Sequence, residues 1–490
     1  MRKLAASLFV AGFCLTSTPR ALAQTPPPPP AVQPPASSST WAPIVRNTTR
    51  VENWGFFEPH PNGGDPDYTF LANRLLAGVR QTGPRHELNA TVQYVQFAGL
   101  PDDAVGPGVL GSGGNYYDHN RNTFSRQVYL KALNLLWRDP GSGISLHGGR
   151  MPYTSGSETP SGEAGIEAIK RLRVDARLVG EFEWSLYQRS YDGGRVDWDH
   201  PASHVTIAAV WPTQGGFDEH ANANMRDIRV LAGTLGLKPA AGLKHTDIQA
   251  FVYDYRDDRP VTGRPDNSGR TVSAVDIGFT TFGGYAATAY PAGAGRTDVL
   301  AWTAFQRGYW YESDHSAWAL SLEAGHQWTA AAWSPWLRAG WNRSSGDEDG
   351  EDLEHGTFMP PLPTGRKYSQ STVYAAMNLD DLFVQGILKP RPTMTWRTDL
   401  HWLQLVEPAD RWYAGSGATR REGSIFGYAG RASGGSTDLG TILETQLDVT
   451  LHRRWTIIGY GGYMWGGDAV RSTFAGDRLT FFYFENVIQF

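Results

Sequence analysis

The segment from Lys170 to Leu178 reads Lys-Arg-Leu-Arg-Val-Asp-Ala-Arg-Leu. In an extended chain successive side chains point to opposite faces. Leu172, Val174, Ala176 and Leu178 then share one face, and Arg171, Arg173, Asp175 and Arg177 the other. Glu181 to Arg189 repeats the pattern, with Phe182, Trp184 and Leu186 opposed to Glu183, Ser185, Tyr187 and Arg189. Leu337, Ala339 and Trp341 leave Arg338 and Asn342 on the other side, and Trp396, Leu400 and Trp402 leave Arg397, Asp399 and His401. A row of guanidinium groups is a surface for anions. Each planar fork offers a carboxylate two parallel hydrogen bonds, which an ammonium group does not. Interleaved carboxylates keep part of the row paired, so that a polyanion is not held too tightly to move. The competing reading is a static network in which these charges only satisfy one another. Three arginines on one predicted strand outnumber the carboxylates beside them, which favours selectivity.

Composition alone does not decide between the two. The chain has 37 Arg and 7 Lys, a skew that anion recognition and a GC-rich codon bias explain equally well. The chain as a whole is acidic, with a formal net charge of −5 that becomes −8 once Arg2, Lys3 and Arg20 are removed with a leader, so any attraction for anions has to be local. No Gly-x-Ser-x-Gly, His-Glu-x-x-His or phosphate-cradling glycine-lysine loop is present, and His86-Glu87 lacks a second histidine. Asp347 to Asp352 is rich in carboxylates, but Gly350 falls too early for a calcium-binding loop of the EF-hand kind, and a solvated acidic loop is expected. The sequence thus assigns no catalytic residue, cofactor, metal ligand or nucleic-acid contact.

These charged rows need elements that place them around water. On the lipid face of a membrane strand, an arginine at mid-bilayer depth costs about 2–4 kcal/mol. The apolar faces must therefore meet hydrocarbon and the charged faces an interior. The C-terminal segment Leu479 to Phe490 supports this, because Phe490, Ile488, Asn486, Phe484 and Phe482 alternate along one face. In lipid a sheet must close on itself, so such a strand pairs with the first. His86–Phe97, Ser316–His326, Thr395–Gln404 and Asp438–Leu451 show the same two-residue alternation. Lys389 to Pro392 and His452 to Arg454 read as tight turns at one rim, and the Gly- and Asp-rich stretch 342–367 as a loop at the other. The negative mean hydropathy does not contradict a barrel, whose two faces average out, and 56 Gly with 12% aromatics fit many turns and interfacial girdles.

The expected architecture is an all-β transmembrane antiparallel barrel over residues 41–490, with about 18 strands, 16 being equally compatible, short periplasmic turns and longer extracellular loops. Residues 1–23 read as a secretory signal peptide: Arg2 and Lys3, an apolar stretch from Leu4 to Leu15, and Ala21-Leu22-Ala23 before the cut. The one cysteine, Cys14, lies inside it, so the mature chain has neither disulfides nor thiolate chemistry. Residues 24–40, with Pro26 to Pro30 unbroken, read as a flexible periplasmic extension able to touch an export scaffold. A soluble β-sandwich binding glycans and a barrel hydrolase are the rivals from other classes.

Four stretches give the chain a resemblance to the alginate export family of outer-membrane barrels. They are Tyr68 to Arg80; Phe97 to Pro101 with Gly113 to Tyr117; Gly148-Gly149-Arg150 with the arginine segment as far as Tyr191-Asp192-Gly193; and Ser345-Gly346-Asp347 with Thr357-Phe358, Leu362 to Gly365 and Lys367-Tyr368. The resemblance implies a monomeric barrel of about eighteen strands in the outer membrane of a Gram-negative bacterium, passing an anionic uronate polymer outward through an electropositive lumen. By position it marks Arg74, Arg150, Arg171, Arg173, Arg177 and Arg338 as lumen contacts. The charged faces add Arg189, Arg397, Asp175, Glu183 and Asp399. On the same fold, a porin taking up small organic anions is the alternative.

Overall fold

Alternation of apolar and polar residues turns most of the chain into strands, and a computed structural model describes residues 39–105, 112–364, 369, 371 and 373–490. Within them the strands run β1 (Thr40–Gly55), β2 (Asp67–Thr82), β3 (His86–Ala98), β4 (Arg126–Asp139), β5 (Ile144–Met151), β6 (Tyr191–Asp199) and β7 (Ser203–Pro212). Next come β8 (Ile228–Leu237), β9 (Thr246–Asp257), β10 (Ile277–Ala292), β11 (Gly295–Trp310), β12 (Ser313–Gln327), β13 (Trp336–Ser344) and β14 (Glu354–His355). The last are β15 (Leu379–Arg391), β16 (Met394–Leu405), β17 (Arg411–Gly415), β18 (Tyr428–Ala432), β19 (Asp438–His452), β20 (Trp455–Gly466) and β21 (Arg478–Gln489).

Eighteen of these form one closed antiparallel barrel; β14 only adds a two-residue parallel bridge to β12, and β17 pairs with β18 apart from the wall. Closure is made by β1 and β21, paired from Arg46 opposite Gln489 to Gly55 opposite Thr480. The barrel is left with no edge strand, which is what a sheet in hydrocarbon requires. Phe482 and Phe484 of β21 face outward, as do Trp318 and Leu322 of β12, Trp396 and Trp402 of β16, and Leu443 and Leu447 of β19. The four strands expected from alternation are thus β3, β12, β16 and β19, and the tally is eighteen rather than sixteen.

The rims differ. Connections such as 83–85, 200–202, 293–294, 392–393 and 453–454 are tight, and they lie at the rim where β1 begins and β21 ends. The opposite rim carries the long segments 99–125, 152–190, 345–378 and 406–437. The signal peptide and residues 24–38 of the extension lie outside the described residues, as do Gly365, Lys367 and Tyr368.

Two expected strands are corrected. Ala164–Ile169 forms a short helix that widens into a π-helical turn over Lys170–Val174, and no strand covers Lys170–Leu178 or Glu181–Arg189. Left-handed φ angles at Ala176 (59°), Phe182 (54°) and Gln188 (57°) break the extended path. The greasy face of this segment still finds an apolar partner, but inside the protein. Ile166, Ile169, Val174, Leu178 and Val179 pack with Phe251, Tyr253 and Trp302 of the inner wall. Phe182, Trp184 and Leu186 are likewise buried rather than lipid-facing. Gly215 (φ 53°) lets the neighbouring loop approach so closely that a Cβ there would overlap the Gln188 carbonyl.

Replacing outward-facing Leu322, midway along β12, by arginine is expected to cost about 2–4 kcal/mol. Urea unfolding of the variant in lipid vesicles measures this, and a wild-type midpoint would contradict the assigned lipid face.

Candidate functional site in the lumen

Segment 152–190 enters the barrel and is fastened to one side of it. Lys170 Nζ meets Asp247 Oδ2 of β9 at 2.8 Å, both side chains being fully buried. Glu158 accepts hydrogen bonds from Tyr253 and Gln249, each at 2.8 Å, and Thr159 donates to Gln249 at 2.9 Å. Segment 345–378 joins it: Leu362 N donates to the Leu178 carbonyl at 2.9 Å, and Gly180 N to the Leu362 carbonyl at 2.8 Å. A buried loop must pair its own backbone, and this two-way exchange does so.

At the seam between this plug and the wall lies the densest charge cluster. Arg173 Nε donates to Glu323 of β12 at 2.9 Å, and Arg177 Nη2 to Glu323 at 2.9 Å and to Ser321 at 3.1 Å. Arg338 Nη2 of β13 lies 3.0 Å from Asp298 of β11 and 3.2 Å from Glu323. Among the described residues three guanidinium groups thus surround two carboxylates. Phe383 lies 4.3 Å below the Arg173 guanidinium and Trp302 5.2 Å below that of Arg177, so ring faces add to the attraction. Arg338 Nε and Nη1 make no hydrogen bond among the described residues.

The other nominated residues are scattered around the lumen. Arg189 is fully buried and donates to the carbonyls of Leu362, Ser416 and Ala418, which ties three loops together with no carboxylate among its partners in the described residues. Arg74 of β2 is buried in the wall, its Nη1 making no hydrogen bond among the described residues. Arg150 forms a bidentate pair with Asp192 across β5 and β6, both bonds being 2.7 Å. Arg397 binds Asp399 at 2.5 Å on β16. Arg171 and Glu183 are solvent-exposed, and Asp175 is half-buried and accepts from Ser157 at 3.2 Å. The expected row of lumen arginines is therefore not one strand face but several places, brought together by the plug.

Sequence reading passed over the residues that complete these contacts. Alternation puts Glu323 on an inward face, but no local signal shows that it meets Arg173, 150 residues earlier. Near the barrel closure, Arg50 binds Glu485 at 2.7 Å and Glu52 at 3.2 Å and lies 3.7 Å over the Trp184 ring. This contact joins the plug to the first and last strands.

The plug makes the lumen asymmetric. Inward residues of β9 to β12, among them Asp247, Asp298 and Glu323, are buried beneath it. On the other side Arg80, Glu87, Arg138, His147, Gln446 and Asp448 keep contact with solvent. At the long-loop rim, Asp410 accepts from Thr357 at 2.6 Å and from the Asp347 amide at 3.0 Å. Burial pushes the Asp410 carboxyl up to about 6, and burial with the Asp410 charge pushes that of Asp347 up to about 7.

A family model described as alginate export matches residues 170–481. The fold is similar to a BenF-like porin from Pseudomonas fluorescens Pf-5, with TM-score 0.57 at 9% identity, covering 92% of this chain and 98% of that one. It is also similar to OccAB1 of Acinetobacter baumannii, with TM-score 0.55, 8% identity and coverage of 92% and 96%. The Pseudomonas aeruginosa protein OccK2, solved in complex with glucuronate, gives TM-score 0.55 at 9% identity, with coverage of 91% and 97%. No curated protein sequence matches the chain.

Glu323→Gln removes the carboxylate that the buried Arg173, Arg177 and Arg338 share. It is expected to destabilise the folded barrel by about 3–5 kcal/mol, read from unfolding in vesicles. Raised carboxyl pKa values mean that the folded loops bind protons the unfolded chain has released. Their stability is thus fully present below about pH 4 and is lost as the pH rises through about 6–7. Limited proteolysis of segments 345–378 and 406–437 is expected to be faster at pH 8 than at pH 5, and Asp410→Asn to flatten the difference.

Proposed function

The chain belongs to the alginate export family, and from that premise we propose that this outer-membrane channel carries acidic sugar chains, a uronate polysaccharide of the alginate kind, outward past an arginine-rich constriction. The observation that carries the reading is the gathering of guanidinium groups where the plug meets the wall. Arg173, Arg177 and Arg338 meet at Glu323 and Asp298, and Arg74 and Arg189 have no carboxylate partner among the described residues. In a low-dielectric interior such a gathering sets a positive potential over a larger region than the contacts themselves.

The buried arginines and the exposed one divide the work. Arg173 and Arg177 hold the plug to Glu323, and with Arg338 of the wall they supply a fixed field. Arg171 stands on the solvent-exposed side of the same turn and is the group a passing carboxylate meets. Arg150 and Arg397 each keep a carboxylate partner, which limits how tightly a polyanion is held. Transport on this reading is passive, and the lumen residues do no covalent chemistry. The protein acts as a monomer.

A second reading has a specific support. The plug narrows the lumen, and a barrel of similar fold binds glucuronate, so uptake of small uronates uses the same chemistry on a shorter substrate. Planar-bilayer recordings separate the two. In a salt gradient the reversal potential is expected to report anions over cations, and Arg171→Glu to lower that preference at least about twofold at low ionic strength. An unchanged ratio contradicts the arginine constriction. Long oligouronates that interrupt the current favour polymer passage, whereas block by monomers alone favours uptake.

A further inference from the structure

We propose that Asp399, His401 and Glu444 hold a divalent metal ion of the Zn2+ class on the inner wall of the barrel. Asp399 and His401 face inward from β16, and Glu444 stands directly opposite Asp399 on β19. One ligand atom from each lies within 4.8 Å of the other two, and all three residues are buried.

The hydrogen bonds around the trio fix one end of each side chain and turn the other toward a common point. His401 Nδ1 is 2.9 Å from Asp381 Oδ1, and the second Asp381 oxygen accepts from Asn342 at 3.1 Å. With a carboxylate at Nδ1, that nitrogen carries the proton and Nε2 presents its lone pair, the arrangement in which imidazole ligates metals. Phe383, stacked on the imidazole at 5.5 Å, holds the ring plane. Asp399 Oδ2 is taken by Arg397 Nε at 2.5 Å. Glu444 Oε2 accepts from Ser369 Oγ at 3.0 Å, Ser371 N at 2.9 Å and Tyr460 OH at 2.9 Å.

Two of the inward atoms are left over. Among the described residues His401 Nε2 and Asp399 Oδ1 have no hydrogen-bond partner, and their residues are 0% and 1% exposed. Orphaned polar atoms at such depth cost about 1–3 kcal/mol each unless something fills the gap. The separation of His401 Nε2 from Glu444 Oε1 is 3.9 Å, too long for a hydrogen bond. It is near the roughly 3.3–3.5 Å edge of a tetrahedron whose metal–ligand bonds are about 2.0–2.2 Å. One nitrogen and two carboxylate oxygens suit zinc better than a soft, thiolate-seeking ion. An ion here would tie β16 to β19 where residues 369 and 371 rest against the wall.

The test uses the full-length barrel, purified in detergent and stripped with a chelator. Titration with Co2+ alone is expected to give the visible absorption of a four-coordinate ion at one equivalent, reversed by Zn2+. Asp381→Asn, which removes only the support of the imidazole, is expected to weaken binding about 10–100-fold, and His401→Gln to abolish it. Heat-modifiable migration in gel electrophoresis confirms that each variant is folded. Should His401→Gln not fold, the wild-type spectrum and Asp381→Asn decide. Absence of the Co2+ absorption in the wild type, or affinity unchanged in Asp381→Asn, overturns the proposal and leaves His401 as an imidazolium shared between Asp381 and Glu444.

Discussion

Hydrocarbon offers a peptide group no hydrogen-bond partner, and the pairing of β1 with β21 is where this chain meets that constraint. Ten residue pairs, from Arg46 opposite Gln489 to Gly55 opposite Thr480, remove the last open edge. The same junction carries charge inside: Arg50 of β1 binds Glu485 of β21, and Trp184 of the plug covers the guanidinium. Closure of the wall and seating of the plug are thus coupled through one arginine.

With the wall closed, a segment that folds into the interior must satisfy its polar groups there. The plug solves this with side chains that reach the wall and with backbone bonds between residues 178–180 and 362. Burying Arg173, Arg177 and Arg338 is costly unless the geometry is tight, since removing ions from water takes several kcal/mol each. Bonds to Glu323 and Asp298 and the rings of Phe383 and Trp302 offset much of that. In an acidic protein, position rather than composition gathers these guanidinium groups at one seam.

The candidate metal trio follows the same logic with the opposite sign. Asp399, His401 and Glu444 gather negative charge only about a strand or two from the arginine cluster, since Asp381 and Phe383 of β15 lie between β13 and β16. The inner wall thus carries clusters of both signs within a few strands of each other.

Period-two alternation in the sequence determined the class of fold, the outward faces of β12, β16, β19 and β21, and the inward placement of Arg338, Arg397 and Asp399. It did so because a strand between lipid and lumen has two solvents, and each residue must suit one of them. The same alternation misplaced Lys170–Leu178 and Glu181–Arg189. An apolar face can be satisfied by hydrocarbon outside or by an aromatic wall inside, and two-residue periodicity is blind to the difference. Only the tertiary structure decided that Val174 and Leu178 pack on Phe251 and Trp302, and that Arg173 meets Glu323 from 150 residues away. Such contacts are set by barrel closure and loop insertion, which bring distant segments together in ways that no local pattern of residues records.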